Sequence, residues 1–152
     1  MDPFDIHRVG EVMDRNVPTI SAATTVGDFT ERLRRDANLA RRQGTPIPDG
    51  EGRLTGIITR SDLMRALDAD PSGAGNVLDA GTRNPVVAYE DELLRDAAAR
   101  MLDRDIGRLP VVDRADGKRL IGYLGRSGIL AARQRLIDDE NRRERGPVPV
   151  IS

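Results

Sequence analysis

The chain has 152 residues, of which 24 are basic, 25 are acidic and one is a histidine, and it contains no cysteine. The lack of cysteine excludes disulfides, thiolate zinc sites and cysteine nucleophiles, and a lone histidine, His7, disfavours histidine metal sites and Ser-His-Asp triads. A net charge of −1 gives no general attraction to nucleic acid or to an anionic membrane. We therefore expect a soluble, cytoplasmic, non-enzymatic protein with no metal site and no nucleic-acid partner.

An internal repeat organises the sequence. Residues 9–20 are similar to residues 76–87, and their prolines, Pro18 and Pro85, lie 67 residues apart. Apolar residues at helical spacing follow each stretch: Val26, Phe29 and Leu33 in the first copy, and Leu93, Leu94, Ala97, Ala98, Met101 and Leu102 in the second. The candidate N-terminal caps are Thr24 or Thr25, and Glu90 or Asp91.

A strand, a turn and a second strand follow the helix in each copy. Pro46 and Pro110, 64 residues apart, lie in the first of these strands, which leads into a glycine-containing turn. The return strands, at residues 54–59 and 120–125, precede helices that run from about 61 to 68 and from about 127 to 138. Halves of about 60 residues bury too little surface to fold alone. The predicted fold is therefore α+β, with two β-α-β-β-α repeats packed around an approximate twofold axis.

This organisation predicts five segments. They are an N-terminal lead (1–8), a first repeat (9–69), a linker (70–75), a second repeat (76–138) and a charged tail (139–152).

The repeated motifs resemble the cystathionine-β-synthase (CBS) domain, paired as a Bateman module. The resemblance covers residues 9 to 135 and is carried by Asn16-Val17-Pro18-Thr19-Ile20, by Gly56-Ile57-Ile58-Thr59-Arg60-Ser61-Asp62-Leu63 and by Ile106-Gly107-Arg108-Leu109-Pro110-Val111-Val112-Asp113. It implies a regulatory module that performs no chemistry and binds an adenosine nucleotide, AMP, ADP or ATP. Paired modules of this family commonly form homodimers through their helices, which implies a homodimer here.

A second resemblance is to the cytoplasmic C-terminal region of prokaryotic CLC-type chloride channels. It is carried by Asp2-Pro3-Phe4 ahead of residues 9–13, by the arginine-rich stretch before Gly44 and by the tail at 133–145. It implies a membrane transporter domain before Met1, so that this chain would be the cytoplasmic part of an inner-membrane protein.

The segment from Thr59 to Asp62 lies where a strand ends and a helix begins. As an ordinary helix start, Thr59 would cap the helix and Asp62 would complement its dipole. As a site, the same hydroxyl and backbone N–H groups would bind phosphate, and the carboxylate would accept hydrogen bonds from ribose. The CBS resemblance favours the nucleotide site.

The resemblance implies that the second copy completes this cleft. Together with Ile58, residues Pro85, Val86 and Val87 would supply a backbone edge and an apolar wall for adenine. Gly107 and Arg108 resemble a His-Arg pair that holds phosphate in relatives. Arg108 is therefore the candidate phosphate ligand, and Gly107 removes one expected donor.

The opposite cleft has the sequence Gly125-Arg126-Ser127-Gly128 and lacks the hydroxyl and the carboxylate. We expect Thr19, Ile20, Gln43 and Thr45 to line it, and at most one of the two clefts to bind nucleotide. The arginine-rich stretch from Arg32 to Arg42 is interpreted as a solvated loop, because Glu31 and Asp36 interrupt its charge.

The favoured function is regulation of an attached or associated chloride channel or transporter through nucleotide binding. The alternatives are a ligand-free interaction module that dimerises its parent, and a free-standing nucleotide sensor. The apolar helix residues offered to a second copy are Val26, Phe29, Leu33, Leu63, Leu67, Leu94, Ala98, Met101, Ile129 and Leu130.

Overall fold

A computed structural model describes residues 5–145 of the chain. Its elements follow the order of the repeat, with a short helix, a longer helix, a hairpin and a closing helix in each half. The helices are α1 (Val9–Val12), α2 (Val26–Arg35), α3 (Ala37–Ala40), α4 (Arg60–Ala69), α5 (Val77–Ala80), α6 (Leu94–Asp103) and α7 (Arg126–Arg145). The strands are β1 (Gly44–Pro48), β2 (Leu54–Thr59), β3 (Thr82–Arg83), β4 (Ala88–Tyr89), β5 (Arg108–Val112) and β6 (Leu120–Gly125).

The strands form two three-stranded sheets, ordered β1-β2-β3 and β4-β5-β6. The hairpins β1-β2 and β5-β6 are both antiparallel and both shift register just before their turn, at Ile47/Pro48 and at Val111/Val112. The matching irregularity places the same geometry at the same point of each copy. The α+β fold of two related repeats is confirmed.

The two repeats exchange short segments. Strand β3 follows the linker, yet it pairs with β2 of the first sheet, with Ile57 opposite Thr82. In return, Asp14 pairs with Tyr123 of β6, and each backbone N–H donates to the other residue's carbonyl at 2.9 Å. Each half thus supplies an edge to the sheet of the other half.

The hydrophobic cores show the same exchange. Val9 and Met13, from the α1 region, are buried among residues of the second half such as Leu94. Val77 of α5 is buried among residues of the first half such as Phe29. Neither core is complete without the other half of the chain.

Two local predictions are wrong. The strand expected to open the first repeat does not form at residues 17–20; Ile20 N–H donates to the Pro46 carbonyl at 3.2 Å, but the stretch makes too few such bonds to extend a ladder. Helix α6 begins after Leu93 with no side-chain cap, so neither Glu90 nor Asp91 caps it. Thr25 does cap α2, accepting from Asp28 N–H at 3.1 Å.

Most of the apolar helix residues expected at a dimer interface face the chain's own cores. Phe29, Leu63, Leu94, Met101 and Ile129 are all at most 6 % exposed, because the repeats pack their helices onto their own sheets. Among the residues that the structure describes, the large apolar side chains left exposed are Ile6, Met64, Leu102 and Leu130.

Candidate functional site

Two clefts lie on either side of a shared wall, residues 41–43, which joins α3 to β1. The first cleft has a volume of about 620 Å³ and is lined by Ala40, Arg41, Arg42, Gln43, Thr59, Arg60, Ser61, Asp62, Arg65 and Arg108. The second has a volume of about 170 Å³ and is lined by Val12, Asp14, Arg41, Arg42, Gln43, Gly107, Tyr123, Leu124, Gly125, Arg126, Ser127 and Gly128. The larger volume lies within the range of small-molecule pockets.

The start of α4 forms one wall of the first cleft. Thr59 Oγ1 accepts a hydrogen bond from Asp62 N–H at 3.1 Å, and Asp62 Oδ2 accepts one from Thr59 N–H at 3.0 Å. This reciprocal capping box satisfies two N–H groups of the helix end. Thr59 keeps its own hydroxyl hydrogen to donate, and Asp62 keeps Oδ1, which lies 3.5 Å from Arg65. Capping and ligand binding are therefore compatible at this helix start.

Asp62 is an unusual residue in this chain because it is a carboxylate only 8 % exposed. A buried carboxylate needs hydrogen bonds or an ion pair to offset its lost hydration. Asp62 has both, from Thr59 and Arg65. The burial fixes the direction of the carboxylate at the edge of the cleft.

Arg108, at the start of β5, brings the second repeat into the first cleft. Its side chain lies across Gly44, where a Cβ atom would come within 2.8 Å of Arg108 Nε. Burial raises the pKa of Tyr123, although the neighbouring Gly44 backbone and the charges of Arg108 and Arg42 act in the opposite direction.

Arg108 also borders an apolar pocket of about 110 Å³. The residues around this pocket are Ile57, Thr82, Pro85, Val86, Ile106, Arg108 and Pro110. The polar cleft and the apolar pocket therefore meet at one arginine, an arrangement suited to a ligand with a charged end and a flat apolar end.

The structure brings together some of the residues singled out from sequence and separates others. Thr59, Asp62 and Arg108 share the first cleft, and Pro85 and Val86 line the adjoining apolar pocket. The remaining three line neither the first cleft nor the apolar pocket. Ile58 is 1 % exposed and belongs to the first core, the Val87 carbonyl accepts a hydrogen bond from Arg100, and Gly107 borders the second cleft.

Sequence inspection missed several arginines of the first cleft. The sequence predicts a solvated loop at Arg41 and Arg42, but these residues follow α3 directly and line the first cleft. Arg60 donates a hydrogen bond to the Ala40 carbonyl and so ties α4 to this wall. In the sequence, Arg60 lies within the Thr59-to-Asp62 motif and Arg65 three residues after it, and this proximity could have identified them as residues of the same cleft.

The second cleft holds an internal ion pair. Arg42 pairs with Asp14, and its guanidinium carbon lies 5.3 Å from the centre of the Tyr123 ring. Partial burial opposes ionisation of Asp14, but the hydrogen bonds from Arg42 and from Asn16 N–H outweigh it and hold the pKa of Asp14 below its usual value. A Cβ at Gly128 would meet open space, so nothing packs against the position where the first copy carries its carboxylate.

The expected lining of the second cleft is only partly correct. Gln43 borders it, but Ile20 and Thr45 are buried at 1 % and 3 % exposure, and Thr19 lines a separate groove beside Pro48. Within residues 5–145, no group of three or more His, Asp or Glu side chains is placed to hold a metal ion. In the same residues, no helix combines the length and the apolar character that crossing a membrane requires.

Comparison with known proteins agrees with this geometry. The model of the CBS domain matches residues 9–69 and 77–135. The chain therefore belongs to the CBS domain family and carries two copies of the domain in tandem.

Similar domain pairs occur inside larger enzymes. The chain is 34 % identical over 123 residues to homoserine O-acetyltransferase of Methanohalophilus mahii, covering 81 % of this chain and 24 % of that protein. It is 32 % identical over 129 residues to inosine-5′-monophosphate dehydrogenase of Methanocaldococcus jannaschii, covering 85 % of this chain and 24 % of that protein. It thus spans about a quarter of the length of these curated relatives.

Solved structures with the same fold include complexes with adenosine compounds. CBSX2, a CBS-pair protein of Arabidopsis thaliana, was solved with AMP; it is 32 % identical, with a TM-score of 0.73 over 86 % of this chain and 98 % of that chain. The CBS pair of protein MJ0100 was solved with 5′-methylthioadenosine and S-adenosyl-L-methionine (27 %, TM-score 0.69, 89 % and 98 %). The cytosolic domain of the Mg²⁺ channel MgtE was solved with ATP (26 %, TM-score 0.70, 83 % and 48 %).

Proposed function

We propose that this CBS pair is a non-catalytic regulatory module that binds an adenosine nucleotide in the first cleft. The observation that carries the proposal is the convergence of Thr59 and Asp62, from the first repeat, with Arg108, from the second repeat, on one cleft. Structures of relatives with AMP and with ATP support the ligand class. The apolar pocket beside Arg108, lined in part by Pro85 and Val86, would take the adenine ring.

Each polar group has a distinct role in this proposal. Asp62 Oδ1 accepts hydrogen bonds from ribose hydroxyls, and the Thr59 hydroxyl donates to a phosphate oxygen. Arg108 contributes a charge-assisted hydrogen bond to the same phosphate from the opposite repeat. Ile58 packs in the first core next to Thr59, and the Val87 carbonyl accepts a hydrogen bond from Arg100, so these two residues support the site without lining it. Gly107 belongs to the second cleft.

Regulation follows because the ligand bridges two halves of the chain. A ligand that touches both repeats binds best when their separation suits it, so binding shifts the population of module conformations. A partner that prefers one of those conformations then responds to the nucleotide. No chemical step at the nucleotide is needed.

Calorimetric titration of the full chain with AMP, ADP and ATP tests the proposal. Asp62→Asn keeps an acceptor for Thr59 N–H but removes the charge that ribose would meet, so affinity should fall by about tenfold or more. Asp28→Asn is the matched control, because Asp28 occupies the equivalent third position of α2, behind the Thr25 cap and outside the cleft. Absence of binding heat at millimolar nucleotide contradicts the proposal.

A second candidate is a ligand-free dimerisation module. Met64 on α4 and Leu130 on α7 lie 66 residues apart at matching positions, and they are 60 % and 62 % exposed. Two related apolar side chains on the surface favour a homodimer through these helices. Sedimentation of the chain against a Met64→Gln/Leu130→Gln variant tests it, and a monomer at all concentrations contradicts it.

A narrower form of the proposal attaches the module to the cytoplasmic side of a chloride channel or transporter. It is supported by the CLC-type motifs of the flanks, whose Asp2-Pro3-Phe4 lies outside the described residues. In this form the lead (1–8) and the tail (139–152) connect the module to the transporter. The linker (70–75) separates the two repeats of the module. The residues encoded before Met1 test this: several apolar spans support it, and a start codon contradicts it in favour of a free-standing sensor.

A further inference from the structure

The first cleft carries more positive charge than its own acidic residue neutralises. Five of its ten lining residues are arginines, and Asp62 is the one acid among them. Two of the arginines have carboxylate partners: Arg65 lies 3.5 Å from Asp62, and Arg42 pairs with Asp14. Arg41, Arg60 and Arg108 remain.

These three arginines make no ion pair within residues 5–145. Arg41 donates to the Asn38 side-chain oxygen at 3.4 Å, and Arg60 donates to the Ala40 carbonyl, both of which are neutral acceptors. Neither bond compensates the charge of the guanidinium. Three cations around one concave surface repel each other, so an anion placed between them is favoured.

The three charges are spread along the cleft. Arg108 stands at the border with the apolar pocket, next to the place proposed for adenine and ribose. Arg60 follows Thr59 in sequence and reaches Ala40, which places it beside Arg41 on the α3 wall. A chain of phosphates that starts near Thr59 and Arg108 would therefore continue toward Arg41 and Arg60.

We infer that the first cleft selects a nucleoside di- or triphosphate over the monophosphate and over uncharged or cationic adenosyl compounds. The inference rests on the proposed function, and it adds the charge of the ligand. A monophosphate carries a charge of about −1.5 to −2 at neutral pH and leaves part of the cleft unneutralised. Each further phosphate adds about one negative charge, which the pair Arg41 and Arg60 can accept through charge-assisted hydrogen bonds.

Calorimetry of the full chain with ATP, ADP, AMP, adenosine and S-adenosylmethionine, without divalent cations, tests the inference. ATP should bind at least about tenfold more tightly than AMP, and its affinity should fall more steeply with added salt. AMP binding as tightly as ATP would overturn the inference and leave the proposed function intact. If none of the five compounds binds, both are overturned.

Charge-neutralising variants locate the effect. Arg41→Gln and Arg60→Gln should each weaken ATP about 5- to 20-fold while changing AMP affinity less than about threefold. Arg119→Gln removes the same charge from the exposed hairpin between β5 and β6, outside the cleft, and should leave both affinities unchanged. Equal losses of AMP and ATP affinity would show that these arginines hold the first phosphate, which contradicts polyphosphate selection. An equally large loss of ATP affinity in Arg119→Gln would also contradict it.

Discussion

Gln43 and Gly107 occupy matching positions in the two repeats, 64 residues apart, and they meet where the repeats face each other: a Cβ at Gly107 would overlap Gln43 Oε1. The next pair along the strands, Gly44 and Arg108, makes the same contact with the roles reversed. Where symmetry brings two equivalent positions together, there is room for one long side chain and not two. The repeats therefore differ at this point, and so do the two clefts that flank it.

Replacing a glycine by alanine should destabilise the protein more where the new Cβ meets backbone than where it meets the end of a flexible side chain. Gly81→Ala would press its Cβ against the Ile57 carbonyl, a backbone atom of β2, and should destabilise the protein by about 1–3 kcal/mol. Gly107→Ala meets only the end of the flexible Gln43 side chain and should cost less than about 1 kcal/mol. Urea unfolding measures both. Equal losses for the two variants would contradict this difference, because they would mean that the β2 backbone at Ile57 yields as readily as the Gln43 side chain.

The Asp14–Arg42 ion pair should contribute stability near neutral pH that is lost in acid. Hydrogen bonds from Arg42 and Asn16 N–H outweigh the effect of burial, so the pKa of Asp14 is lower in the folded chain than in the unfolded chain. Its stabilisation is therefore present above the unfolded value, about 3.9, and is lost as pH falls through the folded value. The denaturant midpoint of the wild-type chain should fall as pH drops below about 5, and in Asp14→Asn it should fall less steeply.

Arg42→Gln provides the second half of this test. It removes the partner and should flatten the same region, and the double variant should add little to either single change because both remove one interaction. Fully additive losses would show that Asp14 and Arg42 act separately.

Neither half of the chain should fold alone. The fragment 1–75 lacks α5 and β3, and its core would lose Val77, while the fragment 76–152 would lose Val9 and Met13. Each fragment should therefore show little helical circular dichroism and no dispersed amide spectrum, and an equimolar mixture should recover both. A cooperatively unfolding single fragment would contradict the exchanged core.

Two leucines on α6 provide a matched test of the packing. Leu94 is fully buried, so Leu94→Ala should lose about 2–5 kcal/mol through the cavity it leaves. Leu102 is 82 % exposed, so Leu102→Ala should change the free energy of unfolding by no more than about 0.5 kcal/mol. Denaturant unfolding at low protein concentration compares them. A large loss at Leu102 would indicate that a second copy covers this surface.

Local sequence patterns were sufficient for the hairpin and the two longer helices of each repeat. The alternation of prolines, glycine turns and apolar spacing predicted both hairpins and the helices that follow them, because these features arise from contacts between near neighbours. The motif from Thr59 to Asp62 was likewise visible, since its capping box spans only three residues. Helix α7 continues through the charged residues after 138 to Arg145.

Two features depend on the tertiary structure. One is the exchange of edge segments between the sheets of the two repeats, and the other is the set of charged side chains that lines each cleft. The pairing of Asp14 with Tyr123, and of Ile57 with Thr82, depends on how two similar halves meet, which no local pattern encodes. For the same reason the sequence around Arg41, at the end of a short helix, indicates a solvated loop, and only the fold brings Arg41 into the same cleft as Asp62. Side chains distant in sequence acquire a common role only when packing brings them to one surface.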